Sequence, residues 1–150
     1  MELVLFIGLQ GGGKSTFYRQ RFVDTHLRLN LDMLRTRHRE ALLFDACLAA
    51  KQPVVIDNTN PTRDERARYI TPARAANFRV VGYYFQSGLE DCKRRNLQRP
   101  EPRVVPLPGL LGTYRRMQVP SPDEGFDQMW YVRIADDGEF VVEAWSDEIR

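Results

Sequence analysis

The stretch "LVLFIGLQGGGKST" at residues 3–16 constrains this chain more than any other. An apolar run leads directly into four glycines, a lysine and two hydroxyls. Gly8, Gly13, Lys14 and Ser15 match G-x-x-x-x-G-K-[ST] in full. The apolar run reads as a buried strand and residues 14–24 as a helix. That strand–loop–helix context is the one in which this pattern holds phosphates. Glycines at 8, 11, 12 and 13 let backbone N–H groups curl around β- and γ-phosphates. The helix N-terminus adds its dipole. Lys14 is expected to bridge the phosphates and Ser15 to ligate Mg²⁺, with Thr16 completing the nucleotide contacts. The expected cofactors are ATP, or another nucleoside triphosphate, and Mg²⁺. The alternative is a glycine-rich turn with no ligand. The motif by itself does not separate an NTPase from a kinase.

The rest of the chain supplies the matching architecture. Residues 26–32, 53–57 and 78–85 read as further strands, alternating with amphipathic segments. Helices are predicted over residues 33–50, from Pro61 onward with Asn60 as cap, from a Ser87/Glu90 capping box to about Arg99, and over about 107–118. The last of these places Leu107, Leu111, Tyr114 and Gln118 on one side. "WYVRIADDGEFVV" reads as a hairpin turning at Asp137–Gly138. Strand–helix alternation implies an α/β fold, a mostly parallel sheet flanked by helices on both faces. Residues 100–108 contain four prolines and read as an ordered but mobile connection. The length of 150 residues fits a single domain spanning 1–150, with 127–150 as a C-terminal hairpin extension.

Several classes are excluded or disfavoured. No apolar run is long enough to span a bilayer, so no membrane partner is expected. The N-terminus lacks a basic n-region and a cleavage site, so it reads as a strand and not as a signal peptide. Cys47 and Cys92 have no CxxC partner, and only His26 and His38 accompany them. Two buried, reduced thiols in a cytoplasmic protein, with no metal beyond Mg²⁺, are expected. Oligomeric state is not legible. Charge is unevenly placed: residues 1–120 carry 20 Lys/Arg against 11 Asp/Glu, and residues 121–150 carry 2 Arg against 9 acids. The basic excess is nearly all arginine, whose fork matches phosphate oxygens. An arginine-biased genome and a solvated surface would give the same counts.

Three further stretches bear on where the bound phosphate is sent. "LNLDMLR" puts Asp32 just past a strand, at the carboxyl edge where ligands of open α/β sheets bind. It can act as general base toward an attacking hydroxyl, or merely cap the next helix. Arg35, one turn on, would point the same way and hold a substrate phosphate, or face solvent. "VVIDNTNP" puts Asp57 where it could order the Mg²⁺ shell, through water, with Thr59 and Asn60 placed to bind substrate. "KRRNLQRP" puts Arg95 and Arg99 on one side of a helix. They form either a lid over the transferring phosphoryl group or an ordinary basic face. Arg63, Arg66 and Arg68 are weaker candidates for contacts to additional phosphates.

Taken together, "GLQGGGKST", "NLDMLR", "VVIDNTNPTRDERARYI", "RRNLQR" and "VVPLPGLLGTYRRMQVPSPDEGF" resemble, in order, the kinase domain of the polynucleotide 5′-hydroxyl kinases of phages and animals. The resemblance covers about residues 3–126. It implies a P-loop kinase fold with a lid helix, and DNA or RNA 5′-OH ends as acceptors. It also implies that Lys14 and Ser15 bind ATP and Mg²⁺, that Asp32 is the general base, and that Thr59 and Asn60 form a substrate-side pair. Arg95 and Arg99 match the lid arginines, which contact both ATP and the reacting group. Arg35 resembles the phage-type arginine on the acceptor's 3′-side phosphate, a residue absent from the animal pattern. Asp57 matches the animal pattern and not the phage one. No D-x-D-G-T-like motif is present, so 3′-phosphatase activity is not expected. The competing expectations are a P-loop kinase of a small metabolite (nucleoside, nucleotide or sugar) and a nucleotide-binding module with little turnover.

Overall fold

The computed structural model describes residues 1–86 and 88–149. Its elements are β1 (Glu2–Ile7), α1 (Lys14–Arg21), β2 (Leu27–Leu29), α2 (Leu31–Leu34), α3 (Arg37–Ala50), β3 (Val54–Ile56), α4 (Arg63–Ala75), β4 (Arg79–Phe85), α5 (Leu89–Leu97), α6 (Leu107–Arg116), a 3₁₀ turn (Pro122–Glu124), β5 (Gln128–Ile134) and β6 (Phe140–Ala144). The strands form one sheet in the order β2-β3-β1-β4-β5-β6. Every pair is parallel except β5–β6.

β1 lies between β3 and β4, so the chain leaves it to opposite sides of the sheet. A loop that follows such a strand opens into the crevice where ligands bind. Alternation along β1 divides the core. Leu3, Leu5 and Ile7 face Phe44 and Cys47 of α3 and Tyr69, Ile70 and Ala73 of α4. Val4 and Phe6 face Phe17 and Tyr18 of α1, with Phe22, Val81 and Phe85. The period of two thus buries both faces of the central strand, which is why it reads as an unbroken apolar run. A small third cluster of Leu9, Cys92 and Leu110 seats α5 and α6 on the glycine-rich loop.

The α/β fold, the mostly parallel sheet and the C-terminal hairpin all agree with expectation. Several details differ. The helix expected over 33–50 is two helices: α2 ends at Leu34, followed by Arg35 with φ 79°, and α3 starts afresh with Thr36 as its cap. Asn60 does not cap α4. It has φ 46° and turns its side chain inward, while Thr62 and Glu65 form the capping box. α5 starts after Gly88 and ends at Leu97, so Arg99 lies two residues past the helix it was expected to share with Arg95. The Ser87 half of the expected capping box lies outside the described residues. On α6 the buried side chains are Leu110 and Thr113, whereas Leu107 and Tyr114 are exposed. Leu110 packs against Leu9 of the loop and Cys92 of α5, and this small cluster leaves the rest of the apolar stripe uncovered. The hairpin turns at Gly138 as expected, and β5 also pairs in parallel with β4 from Val81↔Gln128 to Phe85↔Val132.

Candidate active site

The loop after β1 is held from several sides. Gly8 N–H donates to the Thr59 carbonyl at 3.0 Å. Gly11 has φ +81°, and a Cβ there would lie 2.5 Å from the Cys92 carbonyl of α5. Gly13 has φ +89°, and its Cβ would meet Phe140 and Ile134 of the hairpin at 3.0 and 3.2 Å. Glycine is therefore required at both positions, by conformation and by close approach. Gln10 Nε2 donates to Thr113 Oγ1 of α6 at 3.1 Å.

Lys14 opens α1 and is buried. Its Nζ donates to the carbonyls of Gly8 at 3.0 Å and Leu9 at 2.7 Å. Burial holds its pKa below the ordinary lysine value, with the Asp57 carboxylate the chief opposing influence.

Ser15 and Asp57 meet at the floor of the site. Ser15 Oγ donates to Asp57 Oδ2 at 3.2 Å. Asp57 follows β3, is 2 % exposed, and also accepts from Arg28 Nε at 2.8 Å. A hydroxyl and one carboxylate suit Mg²⁺, which takes few protein ligands and completes its shell with phosphate oxygens and water. Among the described residues no group of three or more His, Cys, Asp or Glu could hold a metal.

Asp32 lies in the first turn of α2 and is exposed. It is not a cap: Asn30 takes that role, its Oδ1 accepting from Met33 N at 3.1 Å. Asn30 Nδ2 donates to the Asp57 carbonyl at 2.6 Å, and Asn58 Oδ1 accepts from Leu31 N at 2.9 Å. Both asparagines thereby tie the Asp32 turn to the end of β3. Arg35 is exposed one residue beyond α2, and the break there ends the helical register it was expected to share with Asp32.

Beyond Asp57, Thr59 contributes its carbonyl to the loop. Asn60 is 4 % exposed and donates Nδ2 to the Phe6 carbonyl at 2.7 Å, so its amide nitrogen is engaged within the sheet. Arg95 is half-buried and lines a recess with Gly12, Gln86, Asp91 and Arg133. Neither Arg95 nor Arg99 forms an ion pair among the described residues. The expectation that Arg66 meets an additional phosphate is corrected, since it is buried against Glu124, whereas Arg63 stays exposed in a surface ion pair with Asp123. Sequence reasoning missed Arg28, Asn30 and Gln10. Arg28 carried no local signal, since its partners are 13 and 29 residues away.

Residues 3–118 match the family described as AAA domain, and the chain belongs to that family. Its fold is a P-loop kinase fold. It is 30% identical over 129 residues to the bifunctional polynucleotide phosphatase/kinase of Schizosaccharomyces pombe, covering 83% of this chain and 32% of that protein. It is 28% identical over 137 residues to a putative bifunctional polynucleotide phosphatase/kinase of Acanthamoeba polyphaga mimivirus, covering 85% and 32%. The chain therefore spans about a third of the length of these relatives. Among solved structures, Chaetomium thermophilum Kti12 in complex with ADP-AlF3 superposes with a TM-score of 0.71 at 18% identity, covering 90% of each chain. A gluconokinase from Sinorhizobium meliloti superposes with a TM-score of 0.61 at 16% identity, covering 90% of this chain and 83% of that one. At such identities these likenesses establish the fold.

Among the described residues no helix is long and apolar enough to cross a membrane. Cys47 and Cys92 are both buried and free.

Proposed function

We propose that this chain phosphorylates nucleic-acid 5′-OH ends with Mg²⁺·ATP. The observation that carries the proposal is the Ser15–Asp57 hydrogen bond of 3.2 Å, which sets a hydroxyl and a carboxylate at the start of the helix that the buried Lys14 opens. Asp32 is exposed, is not needed as a cap, and sits on a turn that Asn30 and Asn58 tie to the end of β3, which favours a part in transfer over a nucleotide module without turnover. The curated relatives, named as polynucleotide phosphatase/kinases, supply the acceptor class.

In this mechanism the loop N–H groups and Lys14 hold the triphosphate. Ser15, with Asp57 behind it, would hold Mg²⁺, which supplies charge neutralisation on the phosphates. Asp32 accepts the proton of the 5′-hydroxyl as that oxygen attacks the γ-phosphorus in line. Arg95 and Arg99 stabilise the charge that develops on the transferring group. Arg35 takes the acceptor's adjacent phosphate, and Thr59 and Asn60 shape the acceptor side. Phosphatase activity is not carried over from the relatives' names, because the sequence has no D-x-D-G-T-like motif.

The test offers labelled ATP with 5′-OH DNA, 5′-OH RNA, a nucleoside 3′-monophosphate and gluconate. Transfer to the oligonucleotides, with acceptor affinity falling steeply as salt rises, supports the proposal, since each neutralised phosphate on a single strand releases roughly 0.7 counterion. Preference for the mononucleotide or gluconate, with a shallow salt slope, would replace it with a metabolite kinase.

A further inference from the structure

Arg28 grips the floor of the site more closely than any residue expected there. Its Nε lies 2.8 Å from Asp57 Oδ2 and its Nη2 lies 2.9 Å from Ser15 Oγ. Ser15 Oγ in turn donates to the same Asp57 oxygen at 3.2 Å. The three side chains form a closed triangle, with the guanidinium as its cation. We infer that Arg28 competes with the divalent cation for Ser15 and Asp57, so that metal binding becomes conditional on nucleotide. This rests on the proposed metal role of Ser15 and Asp57.

Shared ligands and like charge set up the competition. Asp57 is 2 % exposed, and its Oδ2 already accepts from both Arg28 and Ser15. The Ser15 hydroxyl, donating to Asp57, turns its accepting lone pairs toward Arg28. Those are the lone pairs a metal would need. A hard divalent cation requires its oxygens at about 2.0–2.1 Å in near-octahedral array, which the guanidinium in this position denies it. A cation arriving alone would therefore displace one already hydrogen-bonded, against its repulsion. A cation arriving with a triphosphate brings negative charge that offsets the repulsion and oxygens that can take over Arg28's hydrogen bonds.

The geometry leaves Arg28 free to yield. Its backbone is fixed in β2, opposite Val55. Its side chain is 26% exposed and its Cζ lies 5.9 Å from the centre of the Tyr18 ring. A rotation of the side chain toward solvent clears the two oxygens without disturbing the sheet. Arg28 is thus a positioning residue: it holds Ser15 and Asp57 together and sets the order in which ligands enter.

The test titrates Mn²⁺ into the whole chain, reading free Mn²⁺ by electron paramagnetic resonance, with and without a non-hydrolysable ATP analogue. Arg28→Gln should bind Mn²⁺ alone about tenfold more tightly than wild type, within the usual span of coupling between ligands. The gap should narrow when the analogue is present, and Asp57→Asn in the Arg28→Gln background should abolish the gain. Arg28→Met, which keeps the apolar stem against Tyr18, replaces the glutamine variant if that one fails to fold, with the same outcomes. Unchanged or weaker Mn²⁺ binding in the variant, with Mn²⁺·analogue binding intact, overturns the inference. If Asp57→Asn leaves Mn²⁺·analogue binding at wild-type strength, the assignment of the metal site itself fails, and the inference falls with it.

Discussion

Arg66 and Glu124 form a buried ion pair that ties α4 to the 3₁₀ turn. Arg66 Nε lies 2.7 Å and Nη2 3.2 Å from the two carboxylate oxygens, and the side chains are 0% and 4% exposed. Arg66 Nη1 also donates to the Asn60 carbonyl at 2.9 Å. The pair therefore braces the "DNTNP" turn, and through it the Thr59 carbonyl that holds Gly8.

Removing one partner of this pair should be costly. Arg66→Met leaves the buried Glu124 with only the half-exposed Arg63, 3.8 Å away, so the loss should approach the low end of the cost of a broken buried pair, about 3 kcal/mol. Replacing both, as Arg66→Met with Glu124→Leu, should recover much of that loss. Urea denaturation of the single and double variants measures it. Equal destabilisation of the double variant and the sum of the singles would show that the pair is not acting as a unit.

Lys14→Met should abolish phosphoryl transfer while the chain still folds. The substitution also has a pH signature. Burial depresses the folded pKa of Lys14 below its ordinary 10.5, so the unfolded chain binds that proton more tightly. The resulting penalty is fully present below the folded pKa and fades as pH rises toward the unfolded value. Wild type should therefore gain stability relative to Lys14→Met as pH increases toward 10.5. Thermal unfolding of both proteins across alkaline pH reads the difference, and parallel curves would contradict it.

Asp32→Asn should lower transfer about a hundredfold or more with nucleotide and acceptor binding retained. Stability should change by less than about 0.5 kcal/mol, because Asp32 is exposed and Asn30 provides the cap. Asn30→Ala should behave in the opposite way, losing about 1 kcal/mol from the cap alone. Single-turnover rates and melting curves for the two variants separate the roles. A pure stability defect in Asp32→Asn would remove it from the chemistry.

Arg95→Ala and Arg99→Ala should each slow turnover far more than they affect folding, since charges in contact with solvent contribute little to stability. Because both are assigned to one phosphoryl group, the double variant should lose less than the product of the single losses. A double-mutant cycle on kcat checks this, and strict additivity would mean that the two arginines act on different groups.

Local patterns in the sequence determined much of this molecule. The run 3–7, the glycines at 8, 11, 12 and 13, and Lys14 report their own conformation within a few residues, so the loop and its strand–helix setting were legible. So were the alternating elements and the hairpin at Gly138. The sequence resemblance also pointed to the relatives that comparison found. Features that depended on partners far along the chain were not legible. Whether Asp32 or Asn30 capped α2 was decided by the hydrogen bonds of Asn30 and Asn58 around the end of β3, 27 residues away. The break at Arg35 arose because Thr36 could cap a second helix, where the apolar spacing suggested one continuous helix. Arg66 read as a surface charge until Glu124, 58 residues on, enclosed it. Arg28 had no motif at all. Its role appears only when β2 is laid against β3, which brings its guanidinium to Ser15 and Asp57. Side-chain pairing across a sheet is set by register and burial, and neither is written in the residues beside the one that pairs.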